Sequence, residues 1–133
     1  MTEKEFFDLL IDTYMEQTGE DLAVDNLGYY LDYFLNNYPP EKLELKLLKK
    51  TAARIVHEFM LNVLKWPDLD WGDATKLKDI YDCRVCANAI AQTYLRGIIL
   101  PSKEDVFGGN EVLDLSQGRE VIDKLMSLIK KEQ

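Results

Sequence analysis

The chain has 133 residues, of which 47% are hydrophobic and 11% aromatic, so it is long enough to form one domain with a core. Its 16 Lys and Arg residues against 24 Asp and Glu residues give a net charge of −8, which repels nucleic-acid phosphates and anionic membrane surfaces. Charged residues interrupt every apolar stretch, so no segment has the roughly 20 apolar residues that span a bilayer. The composition predicts a single acidic domain, residues 1–133, that binds no nucleic acid and does not cross a membrane.

The first residues, Met1 to Glu5, contain neither the basic nor the apolar segment of a secretory signal and lead directly into an amphipathic pattern. The sequence as written therefore predicts a cytoplasmic protein. A cell-surface protein whose signal peptide had been removed begins in the same way, so that alternative stays open.

Apolar periodicity predicts two helices in the first third of the chain. The first covers residues 3–17. Thr2 and Glu5 have the spacing of a reciprocal capping box at its start, and Gly19 ends it. The second covers residues 27–38 and ends before the two prolines that follow.

Tyr29 and Tyr33 fall beside the apolar face of the predicted helix 27–38. Amphipathic tyrosines in such a position are typical of partner surfaces and of carbohydrate-binding platforms. The favoured alternative is a rim of core aromatics whose hydroxyls reach water.

A long central helix is predicted over residues 45–65 and a fourth helix over residues 80–96, and we expect these two to pack together at the centre of the domain. The fourth helix follows a polar turn in which Asp73 is the expected N-terminal cap. Gly97 is expected to take the left-handed backbone conformation at the end of that helix.

Prolines and glycines in residues 98–113 break any helix there, and Asn110 suits a turn because it tolerates left-handed backbone. Asp114 and Gln117 form a second capping-box pattern, which starts the last helix. Together the patterns predict an all-α fold of about five helices.

Three helix starts of similar pattern occur at residues 2–5, 48–51 and 114–117. Between the second and third starts, four short motifs follow in order: Trp71-Gly72-Asp73, Ala87-x-x-Ile90, Leu95-x-Gly97-Ile98 and Phe107-Gly108-x-Asn110. In this order the motifs resemble those of an S-layer homology (SLH) domain. The resemblance is best over residues 48–126, and residues 1–47 resemble a degenerate copy of the repeat.

The resemblance implies helix-loop-helix units, a bacterial origin and a binding role. In SLH domains that anchor proteins to cell walls, an arginine at the helix start is implicated in holding an anionic wall polysaccharide. The matching positions here are Glu3, Lys49 and Leu115, so only Lys49 keeps a positive charge, and lysine lacks the bidentate fork of arginine. Lys49, Arg54 and Trp71 are the candidate ligand-binding residues on this basis.

Cys83 and Cys86 form one C-x-x-C motif inside the predicted fourth helix, and His57 is the only histidine of the chain. These residues are too few to supply four zinc ligands. A thioredoxin-type motif needs a preceding strand and a helix N-terminus. The favoured interpretation is two buried, small apolar side chains in a reduced compartment, and a redox or metal role is the alternative.

Asp68, Asp70 and Asp73 place three carboxylates within a short segment, which makes calcium binding conceivable. The glycine and the final glutamate of an EF-hand loop are misplaced, so a solvated turn is favoured. His57 borders the apolar face of the central helix without a nucleophile at helical spacing, which favours a structural histidine. We expect no enzymatic activity, no cofactor and no bound metal.

These observations predict a non-catalytic, SLH-like interaction module that binds a protein partner or a second copy of itself. An incomplete set of repeats leaves apolar faces that a second copy can cover. The alternative is a cell-wall polysaccharide-binding anchor whose signal peptide is absent from the sequence.

Overall fold

A computed structural model describes residues 1–20 and 44–132. Within these ranges the chain forms four α-helices: α1 (Glu3–Thr18), α2 (Lys49–Asn62), α3 (Ala87–Leu95) and α4 (Leu115–Glu132). Two 3₁₀ turns, Gly72–Lys76 and Arg84–Cys86, lie between α2 and α3. The described part of the chain contains no strand and is all-α, as predicted. The predicted helix 27–38, with Tyr29 and Tyr33, lies outside the described residues.

Local sequence signals set both ends of α1. Thr2 Oγ1 accepts a hydrogen bond from the Glu5 backbone N–H (3.1 Å), and the Glu5 carboxylate accepts one from the Thr2 N–H (2.9 Å). Gly19 takes left-handed backbone at the other end and donates to the carbonyl of Met15. One face of α1 is buried, namely Phe6, Phe7, Leu10, Ile11 and Tyr14.

The central helix α2 is shorter than predicted. Residues 45–48 are not helical because the backbone there pairs with two other segments: Thr2 bridges Lys46, and Leu48 bridges Val112. Leu45, predicted on the buried face, is consequently exposed, and Leu47 is buried instead. At the other end α2 stops at Asn62, before the predicted end at residue 65, and Lys65 has a positive φ of 59°.

The core lies where α2 packs against α3, and α1 packs against both α2 and α4. Phe59 of α2 meets Tyr14 of α1 edge to face, with ring centroids 5.1 Å apart. The largest fully buried side chains come from α1, from α2 and from segments between the helices: Phe6, Phe59, Phe107, Leu10, Leu47, Ile55, Met60, Leu77 and Ile80. Among the described residues, no helix has the length and apolar character needed to cross a bilayer.

The predicted fourth helix begins later than the periodicity indicated. Residues 80–83 form turns, and α3 starts only after the 3₁₀ turn Arg84–Cys86. The expected centre of two packed helices, α2 and α3, is nevertheless present. Gly97, with φ of 72°, follows the helix and donates its N–H to the carbonyl of Tyr94.

Candidate functional site

A chain of polar side chains holds the loop of residues 66–71 against α2 and α3. His57 Nε2 lies 2.8 Å from Asp68 Oδ1, and Asp68 Oδ2 accepts a hydrogen bond from Asn88 Nδ2 (2.9 Å). Asn88 Oδ1 in turn accepts from Trp71 Nε1 (2.9 Å). His57 is therefore a structural residue that fixes the loop, and Asn88 fixes the orientation of the indole.

The side chain of the buried Gln92 binds the backbone of the same loop. Its Oε1 accepts a hydrogen bond from the Leu69 N–H (2.8 Å), and its Nε2 donates to the Leu69 carbonyl (2.9 Å). Arg96 adds a hydrogen bond to the Pro67 carbonyl (2.8 Å) and lies over the Trp66 ring. The position of Trp71 is therefore set before any ligand arrives.

This network lowers the pKa of Asp68. Burial raises the pKa of Asp68, but hydrogen bonds from His57 and Asn88 and the charges of His57 and Arg96 outweigh that effect, and the pKa lies below its ordinary value of 3.8. A carboxyl with a lowered folded pKa stabilises the fold above its unfolded pKa, and that stabilisation disappears as the pH falls through the folded pKa.

We expect Asp68→Asn to be less stable than the wild type at neutral pH, with a difference that shrinks as the pH falls from about 5 to about 2. Urea unfolding at a series of pH values measures this difference. Asp70→Asn is the matched control, because Asp70 is an exposed carboxylate of the same loop and the substitution removes the same charge. Parallel curves for the wild type and Asp68→Asn would contradict the assignment.

Trp71, which is half-buried, and Tyr81 form an aromatic pair at the surface of the described chain. Their ring centroids are 5.8 Å apart at an interplanar angle of 37°, and Tyr81 is 66% exposed. They border an open depression of about 450 Å³ that is also lined by Arg84, Ala87 and Asn88. We call these five residues the aromatic surface. Sequence reasoning identified Trp71 and missed Tyr81 and Arg84, since their proximity depends on the turn before α3.

The C-x-x-C motif lies beside the aromatic surface, and its interpretation as two buried thiols in a helix is wrong. Cys83 has extended backbone (φ −124°, ψ 102°) ahead of the 3₁₀ turn, is partly exposed, and is joined to the buried Cys86 by a disulfide. The two residues between them, Arg84 and Val85, are exposed, Val85 by 74%. The periodicity failed here because Cys83 lies in a turn.

The structure does not gather Lys49, Arg54 and Trp71 into one site. Lys49 and Arg54 lie about 140° apart around α2. Lys49 is only 6% exposed, and its ammonium donates to the Phe107 carbonyl (2.6 Å) and to Ser102 Oγ (3.1 Å). Burial lowers the pKa of Lys49, while the charges of Glu111 and Asp79 oppose that shift. These contacts hold residues 102–107 against the start of α2.

We expect Lys49→Ala to lower the free energy of unfolding by about 1–2 kcal/mol, because the loop loses charge-assisted hydrogen bonds while the cost of burying an ammonium disappears. Lys50→Ala is the matched control on the same turn, where the backbone N–H rather than the side chain binds the Gly109 carbonyl. Urea unfolding of both variants followed by circular dichroism measures the difference. Equal losses would show that the Lys49 ammonium does not hold the loop.

Two expected caps differ from the sequence interpretation. Asp73 does not cap a helix: it lies inside the turn Gly72–Lys76, whose N-cap is Trp71 without a side-chain hydrogen bond. Asn110 lies in the turn closed by the Glu111 N–H and the Gly108 carbonyl (3.0 Å), but Gly108 supplies the positive φ of that turn.

Asp114 and Gln117 exchange backbone and side-chain hydrogen bonds of 2.8 and 2.9 Å at the start of α4, the pattern of a capping box. Within the described ranges no group of His, Cys, Asp and Glu side chains has the arrangement of a metal site, so Asp68, Asp70 and Asp73 do not assemble around a cation there.

Asp79, which sequence reasoning did not select, organises the long loop. Its Oδ1 accepts a hydrogen bond from the Phe107 N–H and its Oδ2 one from the Gly108 N–H, both at 2.9 Å. Because Asp79 and these partners are nearly thirty positions apart, no local sequence pattern predicts the contact.

Comparison of the chain with models of known protein families, with curated proteins and with solved structures finds no match in any of the three.

Proposed function

We propose that this chain is a non-catalytic interaction module that binds a protein partner through the aromatic surface. The observation that carries the proposal is the aromatic pair of the half-buried Trp71, which Asn88 holds in place, and the exposed Tyr81. Aromatic side chains supply large contact areas at interfaces. Because the Trp71 indole is already oriented, little conformational entropy is lost when a partner binds.

The partner we infer is a protein segment that places an apolar side chain in the depression and a carboxylate beside Arg84. Arg84 is an exposed cation at the rim of the depression in a chain of net charge −8. Arginine pairs well with a carboxylate and is enriched at interfaces. A second copy of this chain carries the same excess of negative charge, which opposes self-association and favours a different protein as the partner.

The SLH resemblance of residues 48–126, which rests on the order of turn, helix and loop motifs, also supports a binding role. The function we infer is that of a repeat-type scaffold whose binding residues lie at Trp71, Tyr81 and Arg84, instead of at the helix-start position occupied by Lys49. The buried Lys49 ammonium is already engaged by Phe107 and Ser102.

Photocrosslinking in the native cells tests the proposal. A photoreactive phenylalanine analogue replaces Tyr81 in one variant and Leu100, an exposed apolar residue, in the control. We expect a discrete adduct only at position 81, and the attached protein is identified by mass spectrometry, purified and titrated against the chain. Tyr81→Ala and Arg84→Glu should each weaken binding by about tenfold or more, and Leu100→Ala should not. Equal adducts at both positions, or an adduct with a second copy alone, contradicts the inferred partner.

The second candidate function is a cell-wall polysaccharide anchor, which the same ring pair favours because sugar faces stack on exposed aromatic rings. Sedimentation with cell-wall sacculi that keep their secondary polymer, at low and physiological salt, tests this candidate. Salt-sensitive co-sedimentation that is lost in Tyr81→Ala supports it, and protein left in the supernatant rejects it. Lys49→Ala is unsuitable as the diagnostic variant because Lys49 holds the loop.

A further inference from the structure

The two sulfur atoms of the C-x-x-C motif have different surroundings. Cys83 is partly exposed and borders a cleft of about 60 Å³ together with Lys50, Asp79 and Asp82. Cys86 is 3% exposed and is the N-cap residue of α3. An incoming thiolate can therefore reach Cys83 through the cleft that it lines, although Cys83 also packs partly against the core, whereas Cys86 is a buried member of the core.

We propose that the Cys83–Cys86 disulfide is a site of thiol–disulfide exchange at which an external thiol attacks Cys83. The inference goes beyond the binding role proposed above and does not depend on it. The disulfide lies in a surface turn of 3₁₀ geometry whose two intervening residues, Arg84 and Val85, are exposed, so a second molecule can contact Cys83 and these two residues. A disulfide that only stabilised the core would not need this access.

The exchange consumes one disulfide for each dithiol oxidised. The attacking thiolate forms a bond with Cys83 Sγ, the Cys83–Cys86 bond breaks, and its electron pair leaves on Cys86 Sγ, which takes up a proton. A second thiol, carried by the same molecule if it is a dithiol or by a second molecule if it is a monothiol such as glutathione, is deprotonated and attacks the external sulfur of the mixed disulfide. This attack releases the Cys83 thiolate, which is also protonated. Two thiols become one disulfide, and two electrons and two protons pass to the cysteine pair.

The position of Cys86 assists its departure. Backbone N–H groups in the first turn of a helix stabilise a thiolate, and a better-stabilised leaving group leaves faster. Burial of Cys86 destabilises its thiolate, and it also blocks direct attack on this sulfur. Arg84, between the cysteines, adds a positive charge, and Asp82 next to Cys83 adds a negative one. Cys83 is therefore the sulfur that is attacked, because it is more accessible. Cys86 is the leaving group, because the start of α3 stabilises its thiolate.

The thiol itself can come from a small molecule or from a protein. The aromatic surface includes Tyr81, two residues before Cys83, and Arg84, which belongs to the motif, so a protein thiol docked there would lie beside Cys83. Reduced glutathione and a reduced C-x-x-C protein such as thioredoxin are the two probes. Tyr81→Ala should slow the reaction with the protein probe alone if a protein is the source, and should leave both rates unchanged if a small thiol is.

The decisive experiment compares Cys86→Ser and Cys83→Ser, each of which leaves a single thiol because the chain has only two cysteines. The reduced variants react with oxidised glutathione, and mass spectrometry follows the mixed disulfide. We expect Cys83 in Cys86→Ser to react about tenfold or more faster than Cys86 in Cys83→Ser, because burial of Cys86 both blocks access to its sulfur and opposes formation of its thiolate, and these two effects outweigh the stabilisation by the helix N-terminus. In concentrated urea the two rates should converge, which shows that the difference belongs to the fold.

The wild-type disulfide is tested in parallel. Reduced glutathione should open it while circular dichroism still reports a folded chain. Equal rates for the two folded variants, a faster Cys86, or a wild-type disulfide that opens only after unfolding would each overturn the proposal. None of these outcomes bears on partner binding, because every reaction uses the purified chain.

Discussion

Replacing Asp79 by alanine should lower the free energy of unfolding by about 3–5 kcal/mol, because hydrogen bonds to a charged acceptor contribute about 1.5–3 kcal/mol each and two of them are lost. The Asp79 carboxylate accepts from the backbone N–H groups of Phe107 and Gly108, and the Phe107 side chain is fully buried. Without the carboxylate, two donors near the core have no acceptor of comparable strength. Urea unfolding followed by circular dichroism measures the loss.

Asp82→Ala is the matched control for Asp79→Ala. Asp82 lies on the same turn and is exposed, and both variants remove one negative charge from a chain of net charge −8. Any gain from reduced charge repulsion is therefore common to the two, and an exposed substitution of this kind should change stability by at most about 0.5 kcal/mol. Asp79→Asn, which keeps one acceptor oxygen, should fall between them. Similar unfolding curves for the two alanine variants would refute the role assigned to Asp79.

Elements whose signals are local could be predicted from the sequence. Thr2 with Glu5 and Asp114 with Gln117 have capping-box spacing, and each pair makes both hydrogen bonds of that motif. Gly97 takes left-handed backbone after α3 because a glycine there has no Cβ to clash. In each case the hydrogen-bonding partners lie within a few positions, so the pattern contains the information needed.

Elements that depend on distant partners could not be predicted in this way. The apolar spacing of Leu45 and Leu48 continues the pattern of α2, but the backbone there pairs with residues 2 and 112, and the helix starts later. Backbone pairing satisfies hydrogen bonds that periodicity does not register. For the same reason the role of Asp79 was not predicted, since its carboxylate accepts hydrogen bonds from a loop far along the chain.

The candidate site was predictable only in part, for a related reason. Trp71 was identified by its motif, but the aromatic surface forms because residues 80–83 turn, which brings Tyr81 to within 5.8 Å of Trp71 between ring centroids. The apolar spacing of Ile80 and Cys83 matches a helix, and both sit against the core from a non-helical backbone. Periodicity reports which side chains face the core, and several backbone conformations satisfy that requirement.

Gly108→Ala should lower the free energy of unfolding by about 2–3 kcal/mol, since backbone strain of about 1–2 kcal/mol combines with the disturbance of a hydrogen bond worth about 1 kcal/mol. Gly108 has a φ of +81°, where any Cβ is strained. The added Cβ would also meet the Glu111 carboxylate and Ser102 Oγ at less than contact distance, and these groups are hydrogen-bonded to each other beside the Lys49 ammonium. The substitution therefore disturbs the hydrogen bonds that hold the loop, in addition to straining its backbone.

Gly97→Ala separates the two costs of the Gly108 substitution. Gly97 has a similar φ of +72°, but a Cβ there would meet nothing within 4 Å, so only the backbone strain of about 1–2 kcal/mol should appear. Adding Glu111→Ala to Gly108→Ala should return part of the lost stability, because the shortened side chain leaves room for the Cβ. That coupling should exceed about 0.5 kcal/mol, the limit expected for independent sites. Equal losses for the two glycine variants, together with additive behaviour at Glu111, would mean that backbone strain alone requires glycine at position 108.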